Sequence, residues 1–157
     1  MQQGNRSLTV LREEPAQSLR AGGWVGRSSP MHCTASGRPL LFDSDDDLVE
    51  ALTADELLAP THGLAAPRSL DELLDRLHTE RQRGYAVASE EVEIGLTSVG
   101  VLIRNHAGDL LAVINISGPT SRLIARIDQA AHRLRATATA LESTLAQPRP
   151  PGAAPRG

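Results

Sequence analysis

The sequence predicts an α+β fold in which helices flank an antiparallel sheet. Three observations lead to it. First, two apolar runs of strand length, 99–103 and 110–116, flank the polar turn Arg104-Asn105-His106-Ala107-Gly108-Asp109. Val101, Ile103, Val113, Ile114 and Ile116 suit a pleated, half-buried surface, and Gly108 supplies the positive φ that a hairpin turn needs. Second, Ser69-Leu70-Asp71-Glu72 is a capping box. Leu70, Leu73, Leu74 and Leu77 then share one helical face, and Gly84 marks the stop. Third, residues 121–145 form an amphipathic helix. Ile127, Leu134 and Leu141 recur every seven residues, with Leu123, Ala130, Ala138 and Leu145 beside them.

The remaining elements follow in order. Residues 5–13 alternate as a strand that Pro15 ends. Residues 19–25 form a weaker strand, with Gly22-Gly23 marking a bulge or bend. Residues 26–30 are loop. Thr34-Ala35-Ser36-Gly37 opens a short helix to about Phe42, capped by Thr34 or Ser36. Ser44 with Asp47, and Thr53 with Glu56, start two short helices carrying Leu48, Leu52, Leu57 and Leu58. Residues 60–67 are loop, and 85–88 begin the strand that leads into Glu90-Glu91. The 99–116 hairpin occupies the centre of the sheet and stops at Ser117-Gly118-Pro119, where Pro119 cannot donate to a ladder. The seven-residue period of the last helix fits either a seam between subunits or packing on the sheet. Residues 147–157 hold four prolines and no apolar face and are expected to be disordered.

Composition narrows the function classes. A chain of 157 residues is one domain with one core. Its only aromatics are Trp24, Phe42 and Tyr85, so the core is Leu, Val, Ile and Ala. No apolar run approaches the roughly 18 residues of a membrane span, and the start is not a secretory signal. A cytoplasmic protein without membrane contact is expected. The net charge of −3 speaks against a nucleic-acid surface. All sixteen basic residues are Arg, from which no function follows. The single Cys33 excludes an internal disulfide and a multi-Cys zinc site.

Three constellations are candidates for chemistry. At the Thr34–Gly37 helix start, unpaired N–H groups and a positive dipole end suit a carboxylate, and the small Ala35, Ser36 and Gly37 let it approach. An ordinary capped helix is the plainer reading. Asn115 and Ser117 lie two apart on one strand and so share a face. With Ser98 they offer neutral hydrogen bonds of both signs; bonding to each other or to a buried water is the alternative. His32-Cys33 points to no metal, since adjacent strand residues face opposite ways and no further ligand lies at metal-site spacing. Glu90-Glu91-Val92-Glu93 reads as a solvated acidic loop with room for one structural member. No nucleophile elbow or P-loop is present, so no catalytic residue is named.

Several blocks carry a family resemblance. Pro30-Met31-His32-Cys33-Thr34-Ala35-Ser36-Gly37-Arg38 is similar to a "P-x-H-x-T-A-x-G-K" segment. It is followed by Arg83-Gly84-Tyr85-Ala86-Val87, by Glu90-Glu91 and Gly95, and by Ile116-Ser117-Gly118-Pro119 with Arg122. In this order, over about residues 6–145, they resemble the C-terminal effector-binding domain of IclR-family bacterial transcriptional regulators. The resemblance implies a GAF-like antiparallel sheet flanked by helices, with residues 1–146 as the effector-binding domain. It implies sensing of a small carboxylate-bearing effector at Ala35, Ser36, Ser98, Asn115 and Ser117. It further implies a homo-oligomer, no cofactor, and DNA contact only through a helix-turn-helix domain. Against the family pattern, the winged helix-turn-helix, a linker helix and one helix–strand unit are absent before the match, which reads as a fragment, a wrongly placed start codon or a truncated gene product, and would leave an open sheet edge. Ser98 stands where Cys is common, Asn115 where Ser is common, and Ala88 at a usually acidic position. The alternatives are a gene remnant with the fold but no ligand, or an enzyme on a GAF-like scaffold.

Overall fold

A computed structural model describes residues 1–13, 25–59 and 63–146. Its larger sheet is the predicted hairpin with one strand added: β4 (Ala86–Ser89), β5 (Leu96–Arg104) and β6 (Leu110–Pro119), antiparallel and in that order. A smaller antiparallel sheet precedes it, made of β1 (Gln2–Gln3), β2 (Arg6–Leu8) and β3 (Ser28–Pro30). Between the sheets run a four-residue 3-10 helix (Arg38–Leu41), α1 (Asp46–Leu57) and α2 (Leu70–Arg83). After β6 come α3 (Thr120–Leu123), a 3-10 turn (Ile124–Arg126) and α4 (Ile127–Leu145).

Alternation along β5 and β6 separates two cores. Val99, Val101 and Ile103 face α4, where Ala130, Ala131, Leu134 and Ala138 are buried. On the opposite face Leu110 and Val113 pack with Met31, Leu40, Leu41, Val49, Leu73 and Leu77. The β5–β6 turn is closed locally, because the Asn105 side-chain oxygen accepts from the N–H groups of Ala107 and Asp109, and Gly108 takes φ 86°. Helix α2 begins and ends as predicted. Ser69 Oγ accepts from the Glu72 N–H at 3.2 Å, and Gly84 is left-handed at φ 77°. The Glu72 carboxylate takes the Arg68 N–H rather than that of Ser69, so the box closes one residue early.

Several expectations are corrected. The 5–13 strand shrinks to Arg6–Leu8, and β3 lies within the predicted 26–30 loop. Ser-Ser-Pro carries no strand signal of its own; β3 exists because Arg6–Leu8 pairs with it. Of the predicted 19–25 strand only Val25 is described, in a turn, and the 147–157 tail lies outside the described residues. The two helices at 44–58 are one. Asp45 caps it by accepting from Leu48, and Thr53 sits mid-helix with its hydroxyl on the Val49 carbonyl. Val49 rather than Leu48 or Leu58 is its buried apolar residue. The Thr34–Phe42 helix is a turn followed by the 3-10 helix. Thr34 Oγ1 donates to the Pro30 carbonyl at 2.6 Å, and neither Thr34 nor Ser36 caps.

The hairpin is not central either. β5 is the middle strand and β6 an edge, and β6 continues through Pro119, beyond the predicted stop. The last helix is broken at Ile124–Arg126, and its apolar face packs on the sheet, leaving Leu141 and Leu145 exposed. No helix among the described residues is long and apolar enough to cross a membrane.

Candidate functional site

The strand registers set the site. Ala88 pairs with Ser98, which pairs with Ser117; Ala86 pairs with Gly100, which pairs with Asn115. These six residues therefore share the sheet face away from α4. Ala35 rests on this face. A Cβ at Gly100 would fall 1.8 Å from the Ala35 carbonyl oxygen, so only glycine admits the contact. Four of the five predicted effector-binding residues, Ala35, Ser98, Asn115 and Ser117, thus meet at one face, whereas the Ser36 hydroxyl lies 3.5 Å from that of Ser7 in β2.

Their exposure and bonding differ. Ala35 is buried, Ser36 and Ser98 are half-buried, and Asn115 and Ser117 are exposed. Ser98 Oγ donates to Ser117 Oγ at 2.8 Å, and Asn115 Nδ2 donates to the same oxygen at 3.1 Å. Ser117 keeps its own proton to donate, and Asn115 Oδ1 remains an acceptor. The expected helix dipole is missing, because a four-residue 3-10 helix supplies no such field. The turn still uses its donors selectively. Gly37 and Arg38 both donate to the Thr34 carbonyl, while the N–H groups of Ala35 and Ser36 make no hydrogen bond among the described residues. The arrangement offers neutral donors and acceptors on an open corner of the sheet. It has no nucleophile activated by a base.

The turn is held by a residue to which the sequence alone assigns no role. Arg38 is fully buried. Its guanidinium makes a fork with Glu80 at 2.8 and 3.0 Å and a second with Glu91 at 2.5 and 3.2 Å. It also donates to the carbonyls of His32 and Val87. Burial works against the Arg38 charge, but the two carboxylates outweigh it and hold the guanidinium above its ordinary value. Glu91 is the structural member of its acidic loop. Burial pushes its carboxyl up by more than Arg38 and Arg76 pull it down, and the neighbouring Glu80 adds to the rise. Arg76 reaches Glu91 at 2.8 Å from the rim. Through these bonds Arg38 ties the 32–38 turn to α2 and β4 and so fixes where Ala35 meets Gly100. A signal existed: Leu73, Leu77 and Glu80 share one helical face, and a charge on an apolar stripe calls for a partner.

Two other features are separate from the site. Burial, and secondarily the nearby Glu91, push the Cys33 thiol up to about 12, which leaves it protonated and unreactive. A shallow depression of about 390 Å³ lies outside α2 and β4, lined by Asp75, Arg76, Thr79, Glu80, Arg83 and Val87. It contains none of the predicted residues, and its arginines are already paired with Glu91 and Glu80.

The family described as bacterial transcriptional regulator IclR C-terminal matches residues 1–143. The transcriptional repressor AllR of Salmonella typhimurium is 32% identical over 123 residues, covering 76% of this chain and 44% of AllR. The chain thus spans less than half the length of the curated relatives it matches. A transcriptional regulator from Rhodococcus sp. RHA1 superposes with a TM-score of 0.81 at 30% identity, over 92% of this chain and 59% of that one. The inducer-binding domain of Acinetobacter PobR, solved as a double mutant with 3-hydroxybenzoic acid, does so with a TM-score of 0.73 at 26% identity, over 87% and 86%. The fold and these matches together make the chain a member of the IclR family, corresponding to its C-terminal, effector-binding domain.

Proposed function

We propose that residues 1–146 act as a small-organic-acid sensing and oligomerisation unit of an IclR-type regulator, cytoplasmic and non-enzymatic. DNA reading is left to a winged helix-turn-helix of the complete regulator. The observation that carries the reading is the seating of Ala35 on Gly100 next to Ser98, Asn115 and Ser117. Two unused N–H groups suit a carboxylate without any Lys or Arg, and the neutral set suits a hydroxyl or keto group beside it. The acid in the PobR complex belongs to this class. Binding then biases the geometry of the assembly, which is how a sensing domain repositions DNA-reading helices.

One observation favours a second reading, a scaffold that keeps the fold and has no ligand: the three side chains already bond one another. Calorimetry of the 157-residue chain with 3-hydroxybenzoate and short 2-oxo acids separates the two. Sensing predicts that one of these acids binds and that Ser117→Val weakens it by about 1–3 kcal/mol, the cost of a group left unpaired. A folded chain that binds none of them leaves the scaffold reading.

A further inference from the structure

The three polar side chains of the candidate site leave a definite set of hydrogen-bonding positions open. Ser117 Oγ accepts from Ser98 Oγ at 2.8 Å and from Asn115 Nδ2 at 3.1 Å, which fills both of its lone pairs. Its own proton is therefore all that Ser117 has left to offer. Asn115 Oδ1 has no donor among the described residues, and neither has Ser98 Oγ, whose proton is already given to Ser117. Turning the Asn115 amide over exchanges the roles without changing the count, since Nδ2 then donates outward and Ser117 regains a lone pair. In either orientation Asn115 and Ser117 present one donor and one acceptor next to each other. These are side-chain atoms on the face of the sheet, and the backbone groups of its edge play no part.

The surroundings add nothing polar. Ala86 and Ala88 on β4 stand across from Gly100 and Ser98, and Val113 lies two residues before Asn115 on the same face. A ligand oxygen held at this corner therefore meets Ser117 and Asn115 together, and its chemistry decides the fit. A hydroxyl accepts the Ser117 proton and donates its own to Asn115 Oδ1. A keto oxygen only accepts. It satisfies Ser117 but turns its lone pairs against Asn115 Oδ1, which is left without the water that served it before. The Ala35 carbonyl lies over Gly100, whose register partner is Asn115, so the two unused N–H groups of the turn are neighbours of the same corner.

We propose that the candidate site selects a hydroxy acid over the corresponding oxo acid. Asn115 sets the preference, and Ser117 is the donor that both kinds of acid use. The inference rests on the sensing function proposed above and narrows its ligand class from acids with a hydroxyl or keto group to acids with a hydroxyl. The carboxylate takes the N–H groups of Ala35 and Ser36, and the hydroxyl sits between Ser117 and Asn115.

The test is calorimetry of the 157-residue chain with two matched pairs of acids. 2-Hydroxypropanoate against 2-oxopropanoate places the group next to the carboxylate, and 3-hydroxybenzoate against 3-formylbenzoate places it across a ring. In at least one pair the hydroxy acid should bind about tenfold or more tighter than its oxo partner, the difference made by one hydrogen bond and one acceptor left unpaired. Asn115→Ala, at an exposed position, should melt like the wild type. It should weaken the hydroxy acid and leave the oxo acid nearly unchanged, so that the preference falls below about threefold. Ser117→Ala should weaken both members and keep their order. Equal binding of the two members of each pair, or tighter binding of the oxo acids, sinks the preference and leaves the sensing function standing. A preference that survives Asn115→Ala belongs to another group and overturns the proposal. A folded chain that binds none of the four acids overturns the sensing function and the preference together.

Discussion

Replacing Arg38 by Met tests what holds the candidate site in place. The guanidinium is fully buried and joins Glu80 and Glu91, each only 3% exposed, to the His32 and Val87 carbonyls. Methionine fills much of the volume but leaves two buried carboxylates without the cation they share. Breaking such a pair costs about 3–5 kcal/mol. At about 2–4 °C per kcal/mol for a domain of this size, the midpoint of thermal unfolding should fall by about 6–20 °C. The loss depends on pH. The folded pKa of Glu91 already lies above its ordinary value, so the stability linked to its protonated form is full below that ordinary value. That stability is lost as pH rises through the folded pKa. Without Arg38 the folded pKa rises further. The deficit of Arg38→Met should therefore be largest at about pH 8 and shrink towards about pH 5. Scanning calorimetry of both proteins at the two pH values decides it. A variant melting within about 2 °C of the wild type at the higher pH, or a deficit that grows in acid, would refute the closed network.

Two further outcomes are expected. Gly100→Ala places a Cβ against the Ala35 carbonyl, at 1.8 Å before relaxation. It should cost about 1–3 kcal/mol in urea unfolding and abolish any acid binding seen with the wild type; unchanged stability would mean the turn is not seated on β5. Cys33, with its thiol pushed up to about 12, should resist an aromatic disulfide reagent near neutral pH until the chain is unfolded, and fast native labelling would contradict its burial.

Much of the fold was legible because it is written locally. The 99–116 hairpin shows in the composition of its strands and in Gly108, and α2 in the Ser69 cap, the leucine stripe and Gly84. Part of the candidate site's geometry was legible by face: Asn115 and Ser117 share a side of β6 by simple alternation. The resemblance brought Ala35 and Ser36 to them, which no local pattern could do. Where local reading failed, a partner elsewhere in the chain decided. Thr34 looked like a cap, but the Pro30 carbonyl holds its hydroxyl. The Ser28–Pro30 segment looked like loop, but Arg6–Leu8 supplies its ladder.

The sequence by itself determined the class of fold, the long hairpin and the best-capped helix, since each rests on side chains within a turn or two of one another, and the family through the order of its separate motif blocks. The tertiary structure alone decided that β6 is an edge, that Ala35 sits on Gly100, and that Arg38 is shared by Glu80 and Glu91, which lie 42 and 53 residues away. A buried charge announces that it needs a partner, but which residue answers depends on how the chain returns to it, and periodicity carries no information about that return.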